Sequence, residues 1–215
     1  MAGDAAAETA LKKKSQHAAE QDRPDVKKRR DEWFGQFQGV KLKQLVFIDE
    51  FGAATNMTRT RARGPRGQRI VCKTPHGHWK ILSTIAAMSV QGMITGLTFD
   101  GATDTETFVV FVERCLVPVL TPGQIVVLDN LSAHKSPRVD ALVEGCGARV
   151  VRLPPYSPDL NPIEMAISKM KALLRKLARR DVPGLLEGVG EAMNCITESD
   201  ARAYMQHSGY AARMV

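Results

Sequence analysis

Two short apolar runs in this 215-residue chain each end in an acid: Leu45-Val46-Phe47-Ile48 runs into Asp49, and Ile125-Val126-Val127-Leu128 into Asp129. Continuous apolar runs of this length suit strands buried on both faces. An acid just past a strand is ordinarily a turn former. Two of them, at the ends of strands that can lie side by side, suggest a shared site. Neighbouring carboxylates repel and resist ionising together. A divalent cation removes that penalty, and hard cations such as Mg2+ prefer carboxylate oxygen. A third carboxylate would complete a site for two ions, and two ions about 3.5–4 Å apart activate an attacking oxygen and stabilise a leaving one. Two acids compete for the third place. Glu164 opens a helix straight after the Pro-rich loop 154–162, and Asp159 lies within that loop. Glu164 is also explained by complementarity to a helix dipole, and Asp159 by an ordinary turn.

The elements that must position these acids follow an α/β pattern. After the first strand, the Arg-, Gly- and Pro-rich stretch 58–67 reads as an exposed loop, and 68–73 as a strand. Residues 79–88 and 93–99 read as a hairpin joined near Gln91-Gly92. Helical periodicity covers 103–120, with Thr103 or Asp104 available as N-cap. The strand ending at Asp129 follows, then a helix over 136–145 with Pro137 in its first turn. A strand over 148–153 leads to the Pro-rich loop. Beyond it, a helix over 163–179 presents Ile163, Ile167, Met170, Leu174 and Leu177 along one face, and further helices cover 185–196 and 198–206. Parallel strands collect ligand sites at their carboxyl ends, where Asp49 and Asp129 both sit. Residues 1–40 read as a helical arm anchored by Trp33 and Phe34, and 41–215 as one catalytic domain.

Hydrophobic residues make up 44% of the chain, enough for a packed core. No apolar run approaches the roughly 18–20 residues of a membrane helix, and the N-terminus lacks the apolar stretch of a secretory signal. The expectation is a cytoplasmic, nucleoid-associated protein with no membrane partner. Cys72, Cys115, Cys146 and Cys195 form no C-x-x-C pair, which argues against a zinc site or a disulfide framework. The net charge is +7, and its placement says more than its size. Between Phe51 and Phe99 there are seven Lys or Arg and no acid, and 169–180 is likewise basic without an acid. Such patches suit a polyanionic partner.

Three segments together resemble the catalytic blocks of DDE transposases, with the closest likeness to bacterial insertion-sequence transposases of the mariner-related superfamily. They are Val46-Phe47-Ile48-Asp49-Glu50, Val127-Leu128-Asp129-Asn130-Leu131-Ser132-Ala133-His134, and Pro154-Pro155-Tyr156-Ser157-Pro158-Asp159-Leu160-Asn161-Pro162-Ile163-Glu164. The 34 residues between Asp129 and Glu164 match that group's spacing. The third block is highly specific, and the first is weak alone. Thr55-Asn56-Met57-Thr58-Arg59 and Pro75-His76-Gly77-His78-Trp79-Lys80 extend the likeness, which runs from about Ser15 to the C-terminus. It implies a ribonuclease-H-like, retroviral-integrase-like fold: a mixed five-stranded sheet flanked by helices. It also implies two Mg2+ or Mn2+ ions held by Asp49, Asp129 and Glu164, and a reaction in which water frees a 3′-hydroxyl that then attacks target DNA. The implied partners are the element's terminal inverted repeats, target DNA and a second copy of the chain assembled on DNA. Relatives carry a helix-turn-helix region that residues 1–40 are too short to hold, which leaves two readings: the second reading frame of a two-frame element, with that region on a separate chain, or a truncated copy. Ile167 stands where many relatives place Trp or Phe, and Phe51-Gly52-Ala53-Ala54 departs from the Trp- and Lys-containing version common after the first Asp.

Around the triad, Arg59, Arg61, Arg63, Arg66 and Arg69 form a basic loop suited to phosphate contact, to a partner subunit or simply to solvent. Lys169 leads a basic helix face suited to DNA contact or simply to solvent. Asn130 and Asn161 can hydrogen-bond a ligand carboxylate, or Asn161 can cap the helix. His134 can orient DNA or a metal-bound water, or be structural. His76, His78 and Trp79 can approach DNA or form a turn. Two rivals remain. The strand ending in Asp49-Glu50 resembles a Walker B element, but the phosphate loop G-x-x-x-x-G-K-[ST] that must accompany it is absent. A non-catalytic, truncated transposase that binds DNA or an intact partner is the other, and cleavage assays discriminate it.

Overall fold

The computed structural model describes residues 19–74 and 77–210; His76 and residues 1–18 of the expected arm lie outside them. Five strands form one mixed sheet: β1 (Leu45–Ala54), β2 (Ile81–Ser89), β3 (Gly92–Asp100), β4 (Ile125–Leu128) and β5 (Arg149–Arg152), in the order β3-β2-β1-β4-β5. The hairpin β2–β3 joins β1 antiparallel, whereas β1, β4 and β5 run parallel. β1 is therefore central, as its fully buried start demands. The β2–β3 turn requires a glycine: Gly92 has φ +114°, and a Cβ there would stand 2.5 Å from the carbonyl oxygen of Ile196.

Helices cover both faces. The side chains of Phe47 and Phe51 pack with Ile163, Ile167, Met170 and Leu174 of α4 (Ile163–Leu177) and with Leu185 and Val189 of α5 (Val182–Asn194). The alternate residues Val46 and Ile48 pack with Phe108 and Phe111 of α2 (Thr105–Phe111) and with Val139 and Val143 of α3 (Pro137–Gly145). Here α1 is Pro24–Glu32 and α6 is Glu198–His207. The expected stripe along α4 is buried except for Leu177, which is half-buried beside the left-handed Ala178 that ends the helix. Ile167, where relatives carry an aromatic, is a core residue. No helix of the described residues is long and apolar enough to cross a membrane.

Three expectations are corrected. The first strand does not end at Asp49 but runs on to Ala54 along β2, so Asp49 lies within β1. Residues 68–73 form no strand, and Ile70 and Val71 are exposed; without a neighbouring strand, an extended segment has no ladder to join. The helix over 103–120 is α-helical only to Phe111, capped by Asp104, and continues as a π-turn over Val112–Leu116 and a 3-10 turn over Val117–Val119. Pro118 has no N–H and its ring would clash with the carbonyl of Arg114, so a regular α-helix cannot pass it.

Trp33 and Phe37, which follow α1, are buried in the same cluster as Phe47, and Phe34 is half-buried against it. Tyr210 sits at the centre. Its ring meets those of Phe34, Phe37 and Phe47 edge-on at 5.3, 5.8 and 5.0 Å. Its hydroxyl donates to the carbonyl of Leu160 at 2.7 Å and accepts from Trp33 Nε1 at 3.1 Å. Burial pushes that phenol's pKa well above its ordinary value, so it remains a donor. Tyr210→Phe leaves a buried carbonyl and a buried N–H unpaired and is expected to cost about 1–3 kcal/mol, read as a lowered midpoint in urea; an unchanged midpoint would disprove the clasp.

Candidate active site

The register of β1 against β4 pairs Leu45 with Ile125 and Phe47 with Val127. Continued two residues further, it brings Asp49 level with Asp129 on strands about 4.8 Å apart. Both acids share the parity of Phe47 and Val127 and so belong to the α4 face. Asp49 Oδ1 accepts from the Glu50 N–H at 2.8 Å and Oδ2 from Asn161 Nδ2 at 3.0 Å. Asp129 Oδ1 accepts from the Leu131 N–H at 2.9 Å. Glu164 is exposed on the first turn of α4. All three carboxylates line one cavity of about 430 Å3, walled also by Leu131, Pro155 and Tyr156.

The Pro-rich loop sets the two candidates for the third position in different surroundings. Asp159 is drawn outward onto α1, where Arg30 Nη1 and Nη2 donate to its two oxygens at 2.9 and 2.7 Å. Next along, the Leu160 carbonyl is clasped by Tyr210, and Asn161 reaches Asp49. Tyr156 turns the loop in the left-handed region, at φ +55°, a conformation uncommon for a non-glycine residue. The loop is thus fixed at several points immediately before Glu164.

The electrostatics are those of a site short of positive charge. Burial, and then the nearby charge of Glu164, push the Asp49 carboxyl up to about 7. For Asp129, burial alone would raise the pKa, but contact with His134 and the Leu131 N–H outweighs it and lowers it. His134 is wholly buried, with Nδ1 2.6 Å from Asp129 Oδ1 and Nε2 2.6 Å from Glu50 Oε1. Burial would lower its pKa, but those two carboxylates raise it to about 9, so the imidazole is cationic at neutral pH. Among the described residues, no three His, Cys, Asp or Glu side chains are already gathered tightly enough to grip an ion. The donor set nonetheless fits one: three carboxylates on one cavity, one forced toward its neutral form by burial and a like charge, and one, Glu164, exposed and free to change rotamer.

The supporting residues divide. Asn161 bonds the Asp49 carboxylate, and His134 contacts that of Asp129. Asn130 does not: it donates to the carbonyl of Leu153, tying the end of β4 to the end of β5. Lys169 is engaged by Asp200 at 2.7 Å. Arg179 meets Glu191 at 2.6 Å, and Arg180 donates to the carbonyls of Thr55 and Met57. Arg59, Arg61, Arg63, Arg66 and Arg69 are all exposed, as are His78 and Trp79. Arg59 and Arg61 line a shallow cavity of about 350 Å3 with Arg175 and Lys176 of α4. Sequence reasoning missed Glu50 and Arg30. For Glu50 a signal existed: strand alternation places it among Val46 and Ile48, where a carboxylate needs a partner. For Arg30 nothing local pointed to Asp159.

Comparison with curated protein sequences finds no match. Solved structures do resemble the chain. A Mos1 transposase paired-end complex with the left transposon end superposes with a TM-score of 0.72 at 14% identity, over 95% of this chain and 67% of that one. The Mos1 mariner paired-end complex with Mn gives 0.69 at 16%, over 95% and 67%. The catalytic domain of Mos1 mariner transposase gives 0.62 at 14%, over 92% of each. At such identities the likeness speaks for the fold, the ribonuclease-H-like sheet expected from the sequence. The sequence itself matches the DDE superfamily endonuclease family over residues 44–183, a span that holds Asp49, Asp129 and Glu164. With those acids gathered on one cavity, one within β1, one just past β4 and one at the head of α4, the chain belongs to the DDE superfamily of endonucleases.

Proposed function

We propose that the chain is the catalytic domain of a transposase, which cuts DNA at an element end and joins the freed 3′-hydroxyl to target DNA. The observation that carries this reading is the convergence of three carboxylates on one cavity, with Asp49 pushed up to about 7. Asp49, Asp129 and Glu164 would hold two divalent ions, Mg2+ or Mn2+; Mos1 paired-end complexes with each metal support that choice. Such ions, when bound, activate an attacking oxygen and neutralise charge on the phosphoryl group. The chain's own residues supply position. Asn161 holds the Asp49 carboxylate, and the braced Pro-rich loop sets where α4 begins. The exposed arginines of the 59–69 loop, with Arg175 and Lys176, offer contacts to phosphates. No protein nucleophile is needed, because transfer of this kind depends on positioning and electrostatic stabilisation. The paired-end and strand-transfer complexes of Mos1 support a pair of chains assembled on DNA. The three sequence blocks support an origin in a bacterial insertion sequence, acting in the cytoplasm at the nucleoid.

The test is nicking and joining of a labelled duplex that carries an element end. Products are expected in Mg2+ or Mn2+ and none in EDTA. Equal product in EDTA would overturn the reading, and DNA binding without cleavage in either metal would favour a non-catalytic assembly partner.

A further inference from the structure

We propose that Glu50 is a positioning residue for the cleavage reaction: from the opposite face of the sheet it fixes His134, and His134 fixes the carboxylate of Asp129 for its metal. The inference rests on the metal reading above.

Strand alternation sends Asp49 toward α4 and Glu50 toward α2 and α3. On that side Glu50 has the fully buried neighbours Val46, Ile48 and Phe108, and its own side chain is 14% exposed. A carboxylate there is costly unless paired. Its Oε1 meets His134 Nε2 at 2.6 Å, while Oε2 is buried with no hydrogen-bond partner. The imidazole has little room to turn. It lies on the Phe108 ring with centroids 4.1 Å apart. The short turn that carries it, Ser132–Lys135, is held by Arg152 Nη2, which donates to the His134 carbonyl at 3.1 Å and to Asp140 Oδ1 at 2.7 Å. With Nε2 anchored, Nδ1 stands 2.6 Å from Asp129 Oδ1, a close polar contact that lacks hydrogen-bond alignment. That oxygen also accepts the Leu131 N–H. Among the described residues, Oδ2 is left as the oxygen of Asp129 without a protein partner.

Stability alone does not account for the arrangement. A buried ion pair is often matched or surpassed by apolar side chains of similar volume, and Val46 and Ile48, which share this face of β1, are apolar and buried. A partner that orients a ligand has a different use: its removal typically lowers metal affinity or activity by about 10–100-fold.

Three variants test this. Glu50→Asp is one carbon too short to reach His134. His134→Gln keeps a partner for Glu50 but loses the contact with Asp129, and it serves if Glu50→Asp does not fold. Glu50→Gln keeps an acceptor for Nε2. Mn2+ binding by calorimetry without DNA, DNA affinity in EDTA and cleavage turnover are measured on each. Glu50→Asp and His134→Gln are expected to lower Mn2+ affinity and turnover by about 10–100-fold and to leave DNA affinity in EDTA unchanged, while Glu50→Gln retains most of both. Wild-type Mn2+ affinity in folded Glu50→Asp or His134→Gln overturns the proposal, as does a Glu50→Gln defect equal to that of Glu50→Asp. Asp129→Asn separates the two levels. If it too leaves Mn2+ affinity and cleavage unchanged, the metal reading fails; if it loses both while the others lose neither, only the positioning role fails.

Discussion

Glu164→Ala is expected to reduce metal-dependent DNA cleavage by about a thousandfold or more, and Asp159→Ala to leave it near the wild-type rate. The two acids lie on either side of Asn161 in the most specific block of the sequence, and composition cannot tell them apart. Their surroundings can. Asp159 spends both oxygens on Arg30, whereas Glu164 lines the cavity with Asp49 and Asp129. Losing a metal ligand forfeits several kcal/mol of charge stabilisation in the transition state, and about 1.36 kcal/mol is a decade in rate. Asp129→Ala should match Glu164→Ala. The Arg30–Asp159 pair is half-exposed on the Asp159 side, so breaking it should cost stability only on the order of 0.2–1 kcal/mol. Single-turnover cleavage in Mg2+ decides: an Asp159→Ala defect as deep as that of Glu164→Ala would reverse the assignment.

The second large effect is on stability. Asp49 carries a folded-state pKa of about 7 against an ordinary 3.8. Below pH 3.8 the carboxyl is protonated whether the chain is folded or not, and it contributes nothing. Between 3.8 and 7 the unfolded chain gives up this proton and the folded chain keeps it, so folding loses free energy as pH rises. Above 7 the loss is complete, at most about 4 kcal/mol at about 1.36 kcal/mol per pH unit. His134 works in the same direction at higher pH: raised to about 9, it stabilises fully below 6.5 and loses that contribution as pH climbs through 9. Asp129, whose pKa is lowered, stabilises above 3.8 and loses its contribution only in stronger acid. The metal-free chain should therefore melt at progressively lower temperature from pH 5 to pH 9. Asp49→Asn, which retains an oxygen for the Glu50 N–H, should remove the lower part of that slope and melt above the wild type at pH 8 in EDTA. Saturating Mn2+ should reverse the order, because only the wild type keeps the ligand. Parallel melting curves for the two proteins from pH 5 to 8 in EDTA would show that the Asp49 carboxylate carries no such penalty.

How much could be read beforehand varied with how local the cause was. Asp49 and Asp129 were visible because each follows a continuous apolar run, although β1 itself carries on past Asp49 to Ala54. The α/β succession of elements followed from buried runs alternating with helical stretches. Glu164 was separated from Asp159 only by the resemblance, since the guanidinium that occupies Asp159 comes from 129 residues earlier in the chain. Glu50 was passed over although alternation alone places it on the far face; its meaning appears only once His134 is seen to fill that place. Lys169 looked like a free cation because its partner Asp200 belongs to another helix. The strand expected over 68–73 failed for the complementary reason: its apolar residues had a suitable pattern but no neighbour to pair with.

Trp33 and Tyr210 lie 177 residues apart in sequence and meet beside the carbonyl of Leu160. This imposes an order of events on the newborn chain. A ribosome that has finished β4 has already made the strands bearing Asp49 and Asp129, but the brace on the loop before Glu164 waits until residue 210 has emerged. Contacts of such sequence separation belong to the slow part of folding. The two aspartates can therefore be in place while the clasp that steadies the loop before Glu164 is still unmade, and a chain released short of Tyr210 never makes it.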